Sequence, residues 1–552
     1  EIASCLVGSE MCIRDSIYMV YVVMKSIKKI LTVFTSTCFI LGSCDIDPTL
    51  TSSYPSDIIW SNESNLITYI NGYYSLVGGY YGLGGEACTD MLKQNNPVSD
   101  YNQFVFGSMP ITTTSNMFDT WGGSHSSQLS LTRFLENLEK NRTNFSDSIA
   151  TLAEAQVRFF RGVTCFNLAK CYGGQYIIYR QLPVLGEKNH PLCSSQEGWD
   201  FIYEDLKFAA EHLPTKDKVE LGCLSSGAAY GMLARAMLYA ERWKEASDAA
   251  AQVMNQDYEL YEDYGKLFTN SRLVPVENKE SVIEFGYLKD KFTYSFDYFY
   301  CPPSDGGYAE ISPTEDLVSS YQMADGSEFD WDNPEMAANP YEGREPRFYA
   351  TILYNGCQWK GETLYTYEGS KDGFGLGGGT TSTGYYMRKL MKEAIQPKGT
   401  SFTGQGDLTY YYMRYAEVLL IYAEAMAMQD KLPEALDALN QVRRRAGFTK
   451  DLTAATQTEF MKLLRHERKI ELAFEGHRFW DLRRWGLAST VLNGTSMHGV
   501  KPIKVGDNEF TYEVVDIDGG KTRVWEERYA RFPIPLGEIE QNEAVQQFDE
   551  WK

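Results

Sequence analysis

Residues 465–486 combine side chains that favour burial with charged side chains that resist it. The run places Glu467, Glu471 and Glu475 four residues apart, so that like charges meet on one helical face. The apolar members are Ile470, Leu472, Ala473, Phe474, Phe479, Trp480, Leu482 and Trp485. A helix that holds carboxylates this close needs arginines beside them, and the run supplies several. The pattern therefore predicts a structural ion-pair cluster and not a solvated helix face.

Composition narrows the class of protein. The formal net charge of −22 argues against nucleic acid as a partner, because phosphates require Lys and Arg. Aromatic residues make up 14% of the chain, and tyrosine, with 38 copies, is the commonest of them. Tyrosine offers an apolar face with a polar tip. Beyond the core, this excess fits a surface that holds flat, amphipathic sugar rings.

Cysteines past residue 44 are scattered and odd in number. They contain no CxxC pair, so the sequence predicts neither a disulfide framework nor a zinc site. We expect most of them to be small buried hydrophobes. They are Cys88, Cys165, Cys171, Cys193, Cys223, Cys301 and Cys357.

The start of the chain is typical of an exported lipoprotein. Lys25, Lys28 and Lys29 precede a mostly apolar stretch at 30–41 that is too short to span a membrane. The order Leu-Gly-Ser-Cys at 41–44 resembles a lipobox, which makes Cys44 the predicted site of lipidation. The alternative is an ordinary signal peptide followed by a chance cysteine.

Three segments follow from this pattern. Residues 1–23 resemble translated adapter sequence and are interpreted as a spurious or non-native extension. Residues 24–43 are the predicted lipoprotein signal peptide. Residues 44–552 contain no linker rich in Pro, Gly or Ser, so they are predicted to form a single body.

Helical periodicity predicts the scaffold of that body. Residues 226–254 read as two helices joined near 241–243, and 415–442 repeats the same offsets of large and small apolar residues. Both matches are typical of tetratricopeptide-like repeats, which must stack because one repeat cannot bury its own faces. Further helices are predicted at 151–171, 198–213 and 459–486. The scaffold is thus predicted at about 150–260 and 410–490.

Two long inserts separate these helices, at about 86–130 and 270–410. They are rich in Gly, Asn, Ser, Thr, Tyr and Pro, with short strand-like runs such as 281–287. Irregular inserts of this size are usually functional. We therefore expect binding to occur in the inserts, with the helical repeats as rigid support.

Known catalytic motifs are incomplete in this chain. Residues 373–378 match GxGxxG, but no clear buried strand precedes them and no helix follows, so a loop is predicted. His466 and Glu467 lack the second histidine of HExxH, and no GxSxG is present. The six histidines are dispersed, which predicts no metal site. Carboxylates are numerous, so counting them leaves a glycosidase pair open.

A series of motifs resembles the SusD/RagB family, the surface nutrient-binding lipoproteins of Bacteroidetes. Residues 153–161 with 171–174 are similar to an early helix and turn of that family. The later motifs follow in family order at 312–326, 344–349, 384–389, 414–420, 441–447, 465–486 and 532–539. The inserts, by contrast, match no member in detail.

The resemblance implies a fold and a role. The expected fold is mostly α, a tetratricopeptide-like superhelix with irregular inserts containing short strands. The expected role is non-catalytic: capture of an oligosaccharide at the outer face of the outer membrane and delivery to a SusC-type TonB-dependent transporter, without cofactor or metal. Some family members serve peptide import, so a peptide cargo stays open, as does an enzyme acting on glycans.

Candidate ligand-binding residues lie in the inserts. Aromatic rings can stack on sugar faces, and amides or charged groups can meet hydroxyls. The aromatic candidates are Trp121, Tyr298, Tyr300, Tyr308, Trp331 and Trp359. The polar candidates are Asp90, Asn95, Asn96 and Arg388. For every one of them a purely structural role is the competing interpretation.

Overall fold

Long helices, several of them paired through short turns, form the scaffold of the described chain. The structure, a computed structural model, describes residues 56–77, 83–269, 278–289, 291–394 and 406–552. The predicted extension at 1–23, the signal peptide at 24–43 and Cys44 lie outside the described residues, as do 270–277, 290 and 395–405 of the second predicted insert. Residues from Asp57 to Lys552 form one compact unit.

The helices agree with the predicted scaffold. In chain order they are α1 Ser56–Ile59, α2 Glu63–Asn71, α3 Gly84–Ala87, α4 Asp100–Val105, α5 Trp121–Lys140, α6 Asp147–Tyr172, α7 Ser195–His212, α8 Ser226–Tyr239, α9 Trp243–Met254, α10 Tyr264–Thr269, α11 Phe296–Tyr300, α12 Glu315–Val318, α13 Pro334–Ala338, α14 Pro346–Thr351, α15 Tyr415–Ala427, α16 Leu432–Arg445, α17 Gln457–Glu471, α18 Arg478–Arg484, α19 Ala488–Leu492 and α20 Leu536–Gln541. Ser194 and Thr456 close capping boxes at the starts of α7 and α17.

The long helices stack in sequence. Helix α5 packs on α6, α6 on α7, α7 on α8, α8 on α9, and α9 on α15, which is in turn covered by α16 and α17. Small residues allow the close crossings: Ala234, Ala246 and Ala250 are fully buried where α8 meets α9. This arrangement confirms the predicted repeat scaffold and the mostly α fold.

The two predicted repeats share an unusual turn. Glu241 lies two residues before α9, with a backbone φ of 57°, and Asp430 lies two residues before α16, with a φ of 60°. Side chains other than glycine rarely adopt this left-handed region. The same conformation at the same offset supports the structural equivalence of the two helix pairs.

Short strands tie the inserts to the scaffold. They are β1 Leu92–Gln94, β2 Ser281–Gly286, β3 Ile311–Pro313, β4 Ile352–Leu353, β5 Gln358–Trp359, β6 Glu362–Thr363, β7 Tyr386–Met387, β8 Thr409–Arg414, β9 His498–Gly506 and β10 Glu509–Asp516. All pair antiparallel in two-stranded sheets: β1 with β3, β2 with β8, β4 with β7, β5 with β6 and β9 with β10. Strand β8 runs directly into α15, so its partner β2 attaches the second insert to a scaffold helix.

A buried ion-pair cluster joins the inserts to the scaffold. Its members are Glu280, Glu345, Arg347, Lys389, Arg414, Arg443, Arg445, Glu467, Glu471 and Glu475. Five carboxylates meet five cations, which leaves the cluster without net formal charge. The prediction made from residues 465–486 is confirmed.

Glu471 lies at the centre of this ion-pair cluster. Its carboxylate accepts from Arg414 at 2.5 Å and from Arg347 at 2.9 Å, and it also contacts Arg445. Burial alone raises the pKa of Glu471, but the three guanidinium groups outweigh it and hold this pKa well below its usual range. Glu471 is therefore ionised, and three cations depend on its charge.

Replacing Glu471 with Gln tests the ion-pair cluster. Glu471→Gln keeps the shape but leaves buried guanidinium groups without their countercharge, so we expect the free energy of unfolding to fall by about 3–5 kcal/mol. Urea denaturation measures the change. The matched control is Glu204→Gln, which removes an exposed carboxylate paired with Arg180 and should cost less than about 1 kcal/mol. Equal losses in the two variants would contradict the central role of Glu471.

Candidate functional site

A pair of tyrosines marks the exposed end of the second insert. Tyr298 belongs to α11, and Tyr308 follows the turn after it. The Tyr298 hydroxyl donates to the Tyr308 hydroxyl at 2.9 Å, and the ring centroids are 4.8 Å apart at an interplanar angle of 67°. Tyr308 is 54% exposed and Tyr298 is half-buried. The pair thus presents ring surface and hydroxyl groups to solvent together.

The turn between the two tyrosines is held from several sides. Pro303–Asp305 form one 3₁₀ turn, and Gly306 follows with a φ of 88°. Asp305 accepts from the Trp359 indole at 2.7 Å and lies 3.2 Å from the ammonium of Lys360. The Tyr308 amide donates back to the Tyr298 carbonyl at 3.0 Å. These bonds limit the entropy that the loop would lose on binding a ligand.

Asn95 joins three loops beneath the tyrosine pair. Its amide nitrogen donates to the Ala309 carbonyl at 2.5 Å and to the Ser312 hydroxyl at 2.8 Å. Its side-chain oxygen accepts from the Ser382 amide at 2.9 Å and from the Ser382 hydroxyl at 2.6 Å. Asn95 is buried and its hydrogen-bonding capacity is used, so it acts as a brace. Asn96, the next residue, is exposed.

The glycine-rich segment 373–379 lies against this brace. A Cβ placed on Gly378 would lie 3.6 Å from the Asn95 carbonyl and 3.7 Å from the Asn96 Cα. Leu376, at its tip, is 50% exposed. The segment is a loop without an adjoining helix, as predicted from its context.

Aromatic side chains continue from the tyrosine pair into a small cavity of about 190 Å³. Tyr287, Tyr294, Phe296, Phe299 and Tyr300 line it. Stacked contacts run along this group: Tyr294 lies on Phe296 at 5.5 Å, and Phe292 lies on Tyr287 at 5.4 Å. Phe292 is 55% exposed.

Four members of this aromatic group are not among the residues predicted from the sequence: Tyr287, Phe292, Tyr294 and Phe296. A pattern for it exists, because aromatic residues occupy every second position from 292 to 300. Such alternation favours a strand. The structure instead makes single β-bridges at Phe292 and Tyr294 and then turns into α11.

Two predicted aromatic candidates form the base beneath this surface. Tyr300 is 6% exposed and packs on Phe296 with a centroid distance of 4.5 Å. Trp359 is 4% exposed, with its indole bonded to Asp305. Neither presents a ring face to solvent, because each fills space below the Tyr298–Tyr308 turn.

Trp121, a predicted ligand-binding residue, is buried. It is 3% exposed at the first position of α5, and its indole donates to Glu538 at 3.0 Å. Its ring packs against His125 and Tyr172 at centroid distances of 4.4 and 4.9 Å. For Trp121 the competing, structural interpretation therefore agrees with the structure.

Asp90 is also committed to the protein interior. It accepts two bonds of 2.9 Å from Arg478 and lies 3.0 Å from the Lys469 ammonium. Burial raises the pKa of Asp90, but the two cations overcome this effect and hold the pKa far below its usual range. A carboxylate with these partners is a structural group and not a free partner for ligand hydroxyls.

Trp331 and Arg388 are the last two candidates. Trp331 is half-buried, donates to Glu315 at 2.8 Å and packs on Phe329 at 5.3 Å. Arg388 is half-buried, donates to Glu393 at 2.7 Å, and its guanidinium lies 5.8 Å from the centroid of the Trp359 ring. The structure therefore groups Tyr298, Tyr308, Asn95 and Asn96, with Tyr300 and Trp359 beneath them.

Within the described ranges, no group of three or more His, Cys, Asp or Glu side chains is arranged to hold a metal ion. Within the same ranges, none of the helices has both the length and the apolar character that a bilayer crossing requires.

Comparison with known proteins gives consistent results. The model of the SusD family matches residues 277–551. A SusD-like protein P2 from Formosa agariphila is 25% identical over 478 residues, which cover 82% of this chain and 86% of that protein.

Solved structures extend the similarity to the fold. A SusD-like protein from Bacteroides fragilis superposes with a TM-score of 0.77 at 27% identity, covering 89% of this chain and 98% of that chain. A structure described as a SusD-like carbohydrate-binding protein, also from Bacteroides fragilis, has a TM-score of 0.75 at 24% identity and covers 88% of this chain and 100% of that chain.

The hydroxyl contact between the tyrosines can be tested without a ligand. The hydrogen bond to Tyr308 raises the pKa of Tyr298 to about 12. We expect Tyr308→Phe to return the pKa of Tyr298 towards the ordinary value of about 10. NMR titration of ¹³C-labelled tyrosine follows this change, with Tyr298→Phe assigning the resonance. Tyr365→Phe, which removes a hydroxyl bonded to Asn508, is the control. An unchanged pKa in Tyr308→Phe would refute the contact.

Proposed function

The chain belongs to the SusD family, and on this premise we propose that it is a non-catalytic, cell-surface lipoprotein that binds oligosaccharides. It captures its ligand at the outer membrane and passes it to a SusC-type TonB-dependent transporter. A related structure is described as carbohydrate-binding, which supports the ligand class. No metal or cofactor takes part in this function.

The exposed Tyr298–Tyr308 pair is the observation that carries the proposal. A sugar ring has C–H groups on its faces and hydroxyls at its edge, and a tyrosine complements both. Tyr308 supplies exposed ring surface, and Asn96 supplies an exposed amide beside the brace formed by Asn95. Phe292 offers a further exposed ring on the same insert.

The energetics favour weak, cumulative binding. An aromatic contact contributes about 0.5–1.5 kcal/mol beyond the area that it buries. Ordering an oligosaccharide opposes this gain. Several rings together are therefore needed. Phe292 and Tyr308 are exposed and Tyr298 and Phe299 are half-buried, so these four rings can contact a ligand, whereas Tyr287, Tyr294, Phe296 and Tyr300 are buried. Weak binding suits a protein that must release its ligand to a transporter.

Three of the carboxyl groups near the tyrosine pair support a binding role over hydrolysis. Glycoside hydrolysis requires two carboxyl groups that flank the scissile bond. Asp305 is buried against Trp359 and Lys360, and Asp372 accepts from the Ser304 amide at 2.7 Å. Asp297 is 3% exposed. All three carboxyl groups are oriented into the protein.

Substitution of Tyr308 tests the proposed site. With protein lacking residues 1–44, a glycan array identifies a ligand and calorimetry measures its affinity. We expect Tyr308→Ala to weaken binding about ten-fold, because one stacking ring and one hydroxyl are lost. Tyr69→Ala removes a ring that is 42% exposed on α2, outside the inserts, and should leave the affinity unchanged.

Three results would contradict the proposal. Binding confined to a peptide library would assign the protein to peptide import. New reducing ends after incubation with polysaccharides would make it an enzyme. A Tyr308→Ala variant that binds the glycan as tightly as the unchanged protein would move the site elsewhere.

Lipidation is tested at Cys44. The thiol is the predicted attachment point, and several acyl chains on one residue anchor a protein durably. Expressed in a Bacteroidetes host, the full chain should incorporate labelled palmitate and sediment with membranes, whereas Cys44→Ser should do neither. Cys223→Ser, which removes an exposed thiol elsewhere, is the control. Palmitate incorporation in Cys44→Ser would refute the assignment.

A further inference from the structure

A second concavity lies on the side of the ion-pair cluster that faces solvent. It has a volume of about 930 Å³ and is formed where α10, α14, the segment 388–394 and the end of α16 meet. This volume lies within the range of small-molecule sites in proteins. Five cations line it: Lys266, Arg347, Arg388, Lys392 and Arg445. We refer to it as the cationic cleft.

The cations of the cationic cleft differ in how firmly they are paired. Arg347 and Arg445 are neutralised within the ion-pair cluster. Lys266 lies 3.0 Å from Asp263 and Lys392 lies 3.1 Å from Asp407, and the first of these two pairs is exposed. An exposed ion pair contributes little stability, so a ligand anion can replace the carboxylate of the protein.

Two buried arginines of the lining have unused donors. Arg347 is 1% exposed, and its Nη2 lacks a hydrogen-bond partner among the described residues. The Nε of Arg445 likewise lacks a hydrogen-bond partner among the described residues. A buried guanidinium donor without an acceptor is unfavourable. These two side chains form the inner wall of the cleft, but both donor atoms are closed to solvent, so the proposed ligand contact lies at the outer wall.

At the outer wall, Arg388 already holds a carboxylate. Its Nη2 donates to Glu393 at 2.7 Å, and its Nη1 lies 3.4 Å from the Tyr349 carbonyl. The Glu393 side chain is 47% exposed. An exposed ion pair of this kind is worth little and exchanges readily. A ligand carboxylate can therefore take the place of Glu393 on the Arg388 guanidinium.

We propose that the cationic cleft binds a carboxylate-bearing small ligand, with Arg388 as its principal contact and Lys392 and Lys266 beside it. The carboxylate belongs either to a uronic acid of an acidic oligosaccharide or to an acidic side chain of a short peptide. Both ligands present the same carboxylate to Arg388. Tyr349, half-buried in the lining, offers a ring edge to the rest of the ligand. This inference is independent of the tyrosine pair, which it does not involve.

Calorimetry with defined probes tests the cationic cleft. The probes are α-1,4-linked trigalacturonate and its neutral counterpart, the galactose trimer, together with the tripeptides Gly-Glu-Gly and Gly-Gln-Gly. We expect at least one acidic probe to bind more tightly than its neutral counterpart and to weaken with added salt. The sugar and peptide arms then identify the source of the carboxylate.

Two substitutions should shift this affinity in opposite directions. Arg388→Gln removes a charge-assisted hydrogen bond and should weaken binding of the acidic probe about ten-fold. Glu393→Gln removes the competing carboxylate and should tighten binding several-fold. Both positions are partly exposed, so both variants should fold. Arg180→Gln, which breaks an exposed arginine–glutamate pair elsewhere, is the matched control.

Either of two results would overturn the proposal. One is that neither acidic probe binds better than its neutral counterpart. The other is that Arg388→Gln and Arg180→Gln give the same affinity for the acidic probe. Binding that falls in Arg388→Gln, rises in Glu393→Gln and persists in Arg180→Gln would support it.

Discussion

The ion pairs around Glu471 are the interaction on which the rest of the structure depends. They bring together groups that the chain separates widely: Arg347 and Lys389 from the second insert, Arg414 at the end of β8, and Arg445 at the end of α16. Buried charges are costly unless each finds a partner with good geometry. Within the described chain, only the fold that assembles all these segments satisfies the carboxylates of α17 together.

The cluster also positions surfaces that are not part of it. Lys389 donates to Glu475 at 2.6 Å in the interior, while its neighbour Arg388 faces the cationic cleft. Arg347 and Arg445 contact the cluster on one side and line the cleft on the other. The inner wall of the cleft is therefore as rigid as the cluster itself. Pre-organisation of this kind lowers the entropy cost of binding.

Sequence patterns predicted the helices, which depend on apolar periodicity. They did not predict the burial of side chains whose partners are distant in the sequence. Helices α6 to α9 and α15 to α17 follow from apolar spacing, and the ion-pair cluster follows from the glutamates of α17. The burial of Trp121 does not follow from apolar spacing, since it requires contacts with Glu538 and Tyr172. The burial of Asp90 does not follow from it either, because the cations that pair with Asp90 come from α17 and α18. Of the candidate site, Tyr308 and Asn96 are exposed and Tyr298 is half-buried, as their proposed roles require.

The two regions of the insert are held by interactions of different kinds. Several ion pairs fix its base, whereas the turn that carries the tyrosine pair is held by neutral hydrogen bonds from Asn95 and by one ion pair, between Asp305 and Lys360. A neutral side-chain hydrogen bond contributes about 1 kcal/mol, far less than the cost of breaking a buried ion pair. Substitution of the exposed Tyr308 side chain breaks neither the Asn95 hydrogen bonds nor this ion pair. The proposed ligand-binding surface at Tyr308 can therefore change without loss of the ion pairs that hold the base of the insert.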